Sequence, residues 1–158
     1  MQQQDTTLAQ SGSVEWGLNR QHAAKQRTAV HHEVLRLLDA LAPELPPPRR
    51  EADNAGVRAY RWPGRCILQG ESHAVSVSWF PGGRDDDSLG EMMVIAWRGQ
   101  VSLPGSARRA PDQAEALKSL LLHPQEVEAG TWEWKAEEGA GAFETPALAQ
   151  YCREQLRG

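Results

Sequence analysis

Cysteine is nearly absent from this chain. Cys66 and Cys152 are the only two, too few for a disulfide framework and too far apart for a zinc signature. Both read as small core residues; a bridge between them has no support in the sequence. Phenylalanine and tyrosine are scarce, with two of each. No apolar run approaches the roughly 20 residues of a membrane span. The N-terminus lacks the basic start and apolar stretch of a secretory signal. The expectation is a cytoplasmic protein with reduced thiols and no membrane association. Positive charge is not in excess either. Lys and Arg number 17 against 21 Asp and Glu, a net charge of −4, which weighs against a general nucleic-acid binder.

The motifs of common chemistries are missing too. There is no phosphate-binding loop of the G-x-x-x-x-G-K-[ST] type, and Gly139-Ala140-Gly141 lacks the third glycine and the strand-to-helix setting of a dinucleotide fingerprint. Gly70-Glu71-Ser72-His73-Ala74 comes near a nucleophile elbow, but a strand follows where the elbow needs a helix. Neighbours in an extended segment point apart, so the side chains of Ser72 and His73 should diverge. His31-His32-Glu33 has the wrong spacing for two ligands on one helix. Asp85-Asp86-Asp87 lacks the alternation of a calcium loop. The reading is therefore no catalytic cluster, no metal and no cofactor.

What is present is tryptophan, six in all. Trp62, Trp79, Trp97, Trp132 and Trp134 all fall in expected strands. Large rings of this kind either build a core or make a face that grips a ligand or partner, since tryptophan is enriched in binding hot spots. Tyr60, Trp62, His73, Trp79, Trp97, Trp132 and Trp134 are the candidate ligand or partner face. Arg61 and Arg98 should point to the opposite sheet side from their tryptophan neighbours and act as a solvated flank. Charge is polarised: residues 49–65 carry a net +3 and residues 125–144 a net −5, a pattern that can steer a partner or a second copy.

A chain of 158 residues can bury about two thirds of its unfolded surface in one domain. Residues 1–13 are rich in Gln, Thr and Ser and are expected to form a disordered arm, which Trp16 and Leu18 could pin to a single domain over 14–158. From Gln21 to Leu41, Val30, Val34, Leu37, Leu38 and Leu41 make a helical stripe. Pro46-Pro47-Pro48 is a stiff connector. Strands are expected at 57–62, 65–69, 73–80 and 91–98, with 100–103 extending the sheet. The strand at 91–98 is apolar on both sides, which suits a central position covered on both faces. Pro111 to Leu122 reads as a short helix through Ala114, Leu117, Leu120 and Leu121. A strand at 131–135 and a final helix follow, with Thr145 as N-cap and Leu148, Cys152 and Leu156 as the buried stripe.

The expected fold is α+β: an antiparallel sheet of about five strands, with an N-terminal helix, a short internal helix and a C-terminal helix packed on it. The expected function is a non-catalytic protein-binding domain, such as an adaptor, an inhibitor or a chaperone-like factor. Its partner would be another protein or a second copy in a homodimer. The alternative is a small-ligand-binding protein or enzyme with an aromatic pocket between sheet and helices. Nucleic acid on Arg49 to Arg65, with Tyr60 and Trp62 stacking, ranks below both.

Overall fold

A computed structural model describes residues 2–43, 56–82, 88–102, 114–139 and 141–158. Within α1 the side chains of residues 2–16, 18 and 19 lie outside that description, and so does any pinning by Trp16 and Leu18. The proline connector, the loop at 84–87 and the start of the expected internal helix lie outside it as well.

The fold is α+β, with α1 (Gln2–Leu41), β1 (Arg58–Trp62), β2 (Arg65–Gln69), β3 (His73–Pro81), β4 (Gly90–Arg98), β5 (Glu115–Glu128), β6 (Thr131–Ala136), β7 (Ala142–Phe143) and α2 (Thr145–Glu154), closed by a 3₁₀ turn at Gln155–Arg157. The strands pair in sequence order in one antiparallel sheet. Short turns join β1 to β2, β2 to β3 and β5 to β6, while longer connections lead from β3 to β4 and from β4 to β5. Pro63-Gly64 joins β1 to β2, Gly64 taking the positive φ of 69° that glycine tolerates.

Two points correct the sequence reading. Among the described residues the sheet has seven strands, not about five, and the α-helices number two, not three. The expected helix ending at Leu122 is the strand β5. Leu117, Leu120 and Leu121 fit a helical period, but Leu120 and Leu122 fit a strand period equally well. The tertiary partners decide. β4 has a second edge to satisfy, and β5 satisfies it through the pairs Met92–Leu122 and Val94–Leu120. Leu120 and Leu122 are buried there while Leu117 stays exposed, so pairing overrides local preference. The segment 100–102 does not extend the sheet. It is held instead by Gln69, whose Oε1 accepts from the Val101 N–H at 3.0 Å and whose Nε2 donates to the Gly99 carbonyl at 3.0 Å.

β5 serves two partners in turn. Its first half pairs with β4, its second with β6, and Leu122 belongs to both ladders. Pro124 sits in the second half, opposite Trp134 and past the last pair with β4. A strand residue with one neighbour can do without its N–H, which is where proline is tolerated.

Both helices pack on one face. Val30, Val34, Leu37, Leu38 and Leu41 of α1, and Leu148, Ala149 and Cys152 of α2, join Cys66, Leu68, Val75, Val77, Met92, Val94, Leu120, Leu122, Trp132, Trp134 and Ala136 in a single core. The helical stripe read from the sequence is thus buried throughout. α1 itself begins at Gln2, well ahead of Gln21, and its core residues run from Ala29 onward. The helices are tied together by polar contacts at their ends. Arg153 donates to the Ala40 carbonyl at 2.6 Å. Arg61 reaches across from β1 to the Asp39 carboxylate and donates to the Ala42 carbonyl at 3.2 Å. Arg61 is therefore no solvated flank: it caps the negative end of α1.

Thr145 is not an N-cap. The cap is Glu144, without a side-chain bond, and Thr145 is the first helical residue. Its buried hydroxyl accepts from the Trp134 indole at 3.1 Å and donates to a Glu33 carboxylate oxygen at 2.6 Å. One hydroxyl thereby links β6, α2 and α1, which is why capping geometry gives way to tertiary bonding.

Candidate partner-binding face

The register assigns each side chain to a sheet face. On the face away from the helices, one row across the sheet reads Tyr60, Ile67, Ser76, Ile95, Ser119. A second reads Trp62, Arg65, Ser78, Met93, Leu121. A third reads Arg58, Gln69, Ala74, Trp97, Ala116. Ile67, Ala74, Ser76 and Gln69 are buried, whereas Tyr60, Trp62, Met93, Ile95, Trp97 and Leu121 are half-buried. The Trp97 indole N–H donates to the Ser76 hydroxyl at 3.0 Å, which holds that ring over its neighbours. Phe80, further along β3, is 54% exposed.

At the β1–β2 end of this face, Tyr60 and Trp62 stack at 6.5 Å and 24°. The Arg65 guanidinium lies 5.8 Å from the centre of the Trp62 ring, a cation over an aromatic face. Its Nε is covered and meets no acceptor. Arg58 is exposed at the same edge. Among the described residues neither Arg58 nor Arg65 has an ion-pair partner.

The seven residues singled out from the sequence do not share this face. Tyr60, Trp62 and Trp97 are on it. Trp132 and Trp134, at 7% and 1% exposure, are on the other side within the core. Trp79 also faces the helices, packed edge-on against Trp134 with centroids 5.8 Å apart. Its ring lies so close to Gly90 that a Cβ there would sit 2.5 Å from the indole, so glycine is what admits it. His73 begins β3 at the sheet end beside Gly158. The structure adds Met93, Ile95 and Leu121 to the open face. The double-sided apolar pattern of β4 was their signal. The internal helix expected in the sequence hid its meaning, because that helix could have covered the second face.

Ser72 and His73 do not diverge, contrary to the strand rule. The Ser72 hydroxyl and His73 Nδ1 are 2.9 Å apart. Ser72 lies in the bend before β3, where alternation does not yet apply. A second ring nitrogen held by a carboxylate would complete a nucleophilic arrangement; among the described contacts of His73 there is none. No group of three or more metal-ligating side chains occurs among the described residues. Arg98, exposed, pairs with Glu115 at 3.4 Å. An open polar depression of about 490 Å³ lies at the strand ends, lined by Val57, Arg58, Gln69, Glu71 and Gln100 among others. It is not between sheet and helices.

No protein-family model, curated protein or solved structure matches this chain.

Proposed function

We propose that this is a non-catalytic protein-binding domain, an adaptor, inhibitor or chaperone-like factor, which takes its partner on the sheet face opposite the helices. The observation that carries the reading is the band of half-buried apolar side chains, Tyr60, Trp62, Met93, Ile95, Trp97 and Leu121, on the face where neither helix packs. Apolar side chains left partly exposed on a sheet face, here interleaved with Arg65 and Ser78, are what an interaction site presents. Aromatic and methionine side chains are the types enriched at interface centres. The small-ligand alternative, with Tyr60, His73, Trp79, Trp97 and Trp132 as its expected walls, has less behind it, because Trp132 is packed into the core and Trp79 lies on the opposite sheet face from Tyr60 and Trp97.

The test is affinity capture of the tagged protein from its own cells, beside a variant carrying Met93→Glu and Leu121→Glu. The expected result is one stoichiometric protein recovered with the native chain and lost with the variant. A second copy is the other occupant, read by sedimentation as a dimer that the same variant dissociates. A partner retained equally by both proteins would remove the face from the interface. A native chain that sediments as a monomer and recovers nothing would end the reading.

A further inference from the structure

Resting on the protein-binding reading above, we propose that the partner contributes an extended acidic segment, which adds as a strand to the free edge of β1. Two independent observations converge on that edge. The first is topological. Among the described residues β1 pairs with β2 alone and is the first strand of the sheet. Trp62 and Arg65 close the turn between them, so by antiparallel alternation Trp62, Tyr60 and Arg58 exchange bonds with β2. Ala59 and Arg61 then aim their N–H and C=O groups outward. Such an edge is a template for strand addition.

The second observation is electrostatic. The side chains that β1 presents on the open face are Arg58, Tyr60 and Trp62, with Arg65 leaning over Trp62 from β2. Both cations lack a carboxylate among the described residues, whereas Arg61 and Arg98 on neighbouring positions have theirs. A strand laid beside β1 would place alternate residues next to these groups. The complementary pattern is an acid opposite Arg58, an apolar residue opposite Tyr60, and an acid opposite Trp62 that reaches Arg65. Main-chain bonds would give affinity, and the period-two charges would give selectivity and register. A nucleic acid would use the arginines and rings but not the outward N–H groups, and that difference separates the two.

The experiment is fluorescence polarisation with a labelled synthetic peptide in which glutamate, valine and glutamate alternate with threonine. A lysine-for-glutamate peptide and a labelled oligothymidylate serve as comparison probes. The acidic peptide should bind the native chain and weaken as salt rises, and the lysine peptide should not bind. Ala59→Pro removes an outward N–H that no described strand uses, and should weaken the acidic peptide by about tenfold or more. Arg58→Gln with Arg65→Gln should weaken it similarly and flatten the salt dependence. Thermal melting of each variant monitors folding, and the arginine variant, altered on the surface, carries the test if the proline variant fails to fold. Equal binding of acidic and basic peptides, undiminished binding by either folded variant, or tighter binding of the oligothymidylate would each overturn the proposal. So would no binding of the acidic peptide. In that last case a captured partner lost with Met93→Glu and Leu121→Glu would leave the broader protein-binding reading standing.

Discussion

Cys66 and Cys152 are both buried and both free. Burial pushes each thiol up from 9.0 to about 12. For Cys66 the nearby Arg61 charge opposes that rise. For Cys152 the Cys66 charge adds to it and Arg153 opposes it. A thiol at that value is protonated and unreactive at neutral pH. The folded pKa lies above the unfolded one, so this contribution to stability is intact below pH 9.0 and lost as pH rises from there toward about 12. Urea unfolding across that window should show stability falling as pH rises, and a Cys66→Ala, Cys152→Ala variant should show a shallower fall while keeping the fold. In the same spirit, a thiol reagent should label the native protein only after urea unfolds it. Rapid labelling in buffer would contradict the burial. Thr145 makes a second point at this scale. Its hydroxyl joins Trp134 to Glu33, so Thr145→Val leaves the buried Trp134 indole N–H and the part-buried Glu33 carboxylate without that partner. The expected loss is about 1–3 kcal/mol in a denaturant melt, against little change for Thr131→Val, which is exposed.

Among the elements, β5 carries the most consequence for its sequence. Leu122 is fully buried and lies in the ladders of β4 and β6 together. Leu122→Ala should cost about 2–5 kcal/mol, while Leu117→Ala, on an exposed position of the same strand, should change the unfolding midpoint little. Equal effects would argue against the strand. The same element marks the limit of what could be read from residues alone. The stripe in α1, the hairpin around Pro63-Gly64 and the alternation of β3 and β6 were legible because each has one period and clear ends. The leucines of β5 satisfy two periods, and Pro124 looks like a stop when it only lacks a neighbour on the β4 side. The candidate site was legible in part for the same reason. Tryptophan marked the strands, but a residue type does not say which face it takes. Trp97 and Trp134 parted company only when the registers placed them, and Met93, Ile95 and Leu121 joined the open face only when the internal helix became a strand.

At the scale of the molecule the two sheet faces differ in kind. One is closed by α1 and α2 around a single core, and the other is the surface on which a partner is proposed to sit. Core substitutions such as Leu122→Ala should therefore lower stability without a specific effect on capture. Met93→Glu with Leu121→Glu should do the reverse, since both positions are half-buried on the open side.

The meander also has a temporal side. Every strand pairs with its neighbour in sequence, and pairings between sequence neighbours close smaller loops than contacts between the chain's two ends, so they form sooner. The contacts that join the two ends of the chain, Arg153 to Ala40 and Thr145 to Glu33, span 113 and 112 residues and must wait. The sheet should assemble first and the two helices dock last. In stopped-flow kinetics, Leu122→Ala should then slow refolding, while Thr145→Val should leave refolding nearly untouched and speed unfolding. In the interval before docking, Val75, Val77, Met92 and Val94 stand bare to solvent, and that is the stage at which this chain is most exposed to aggregation.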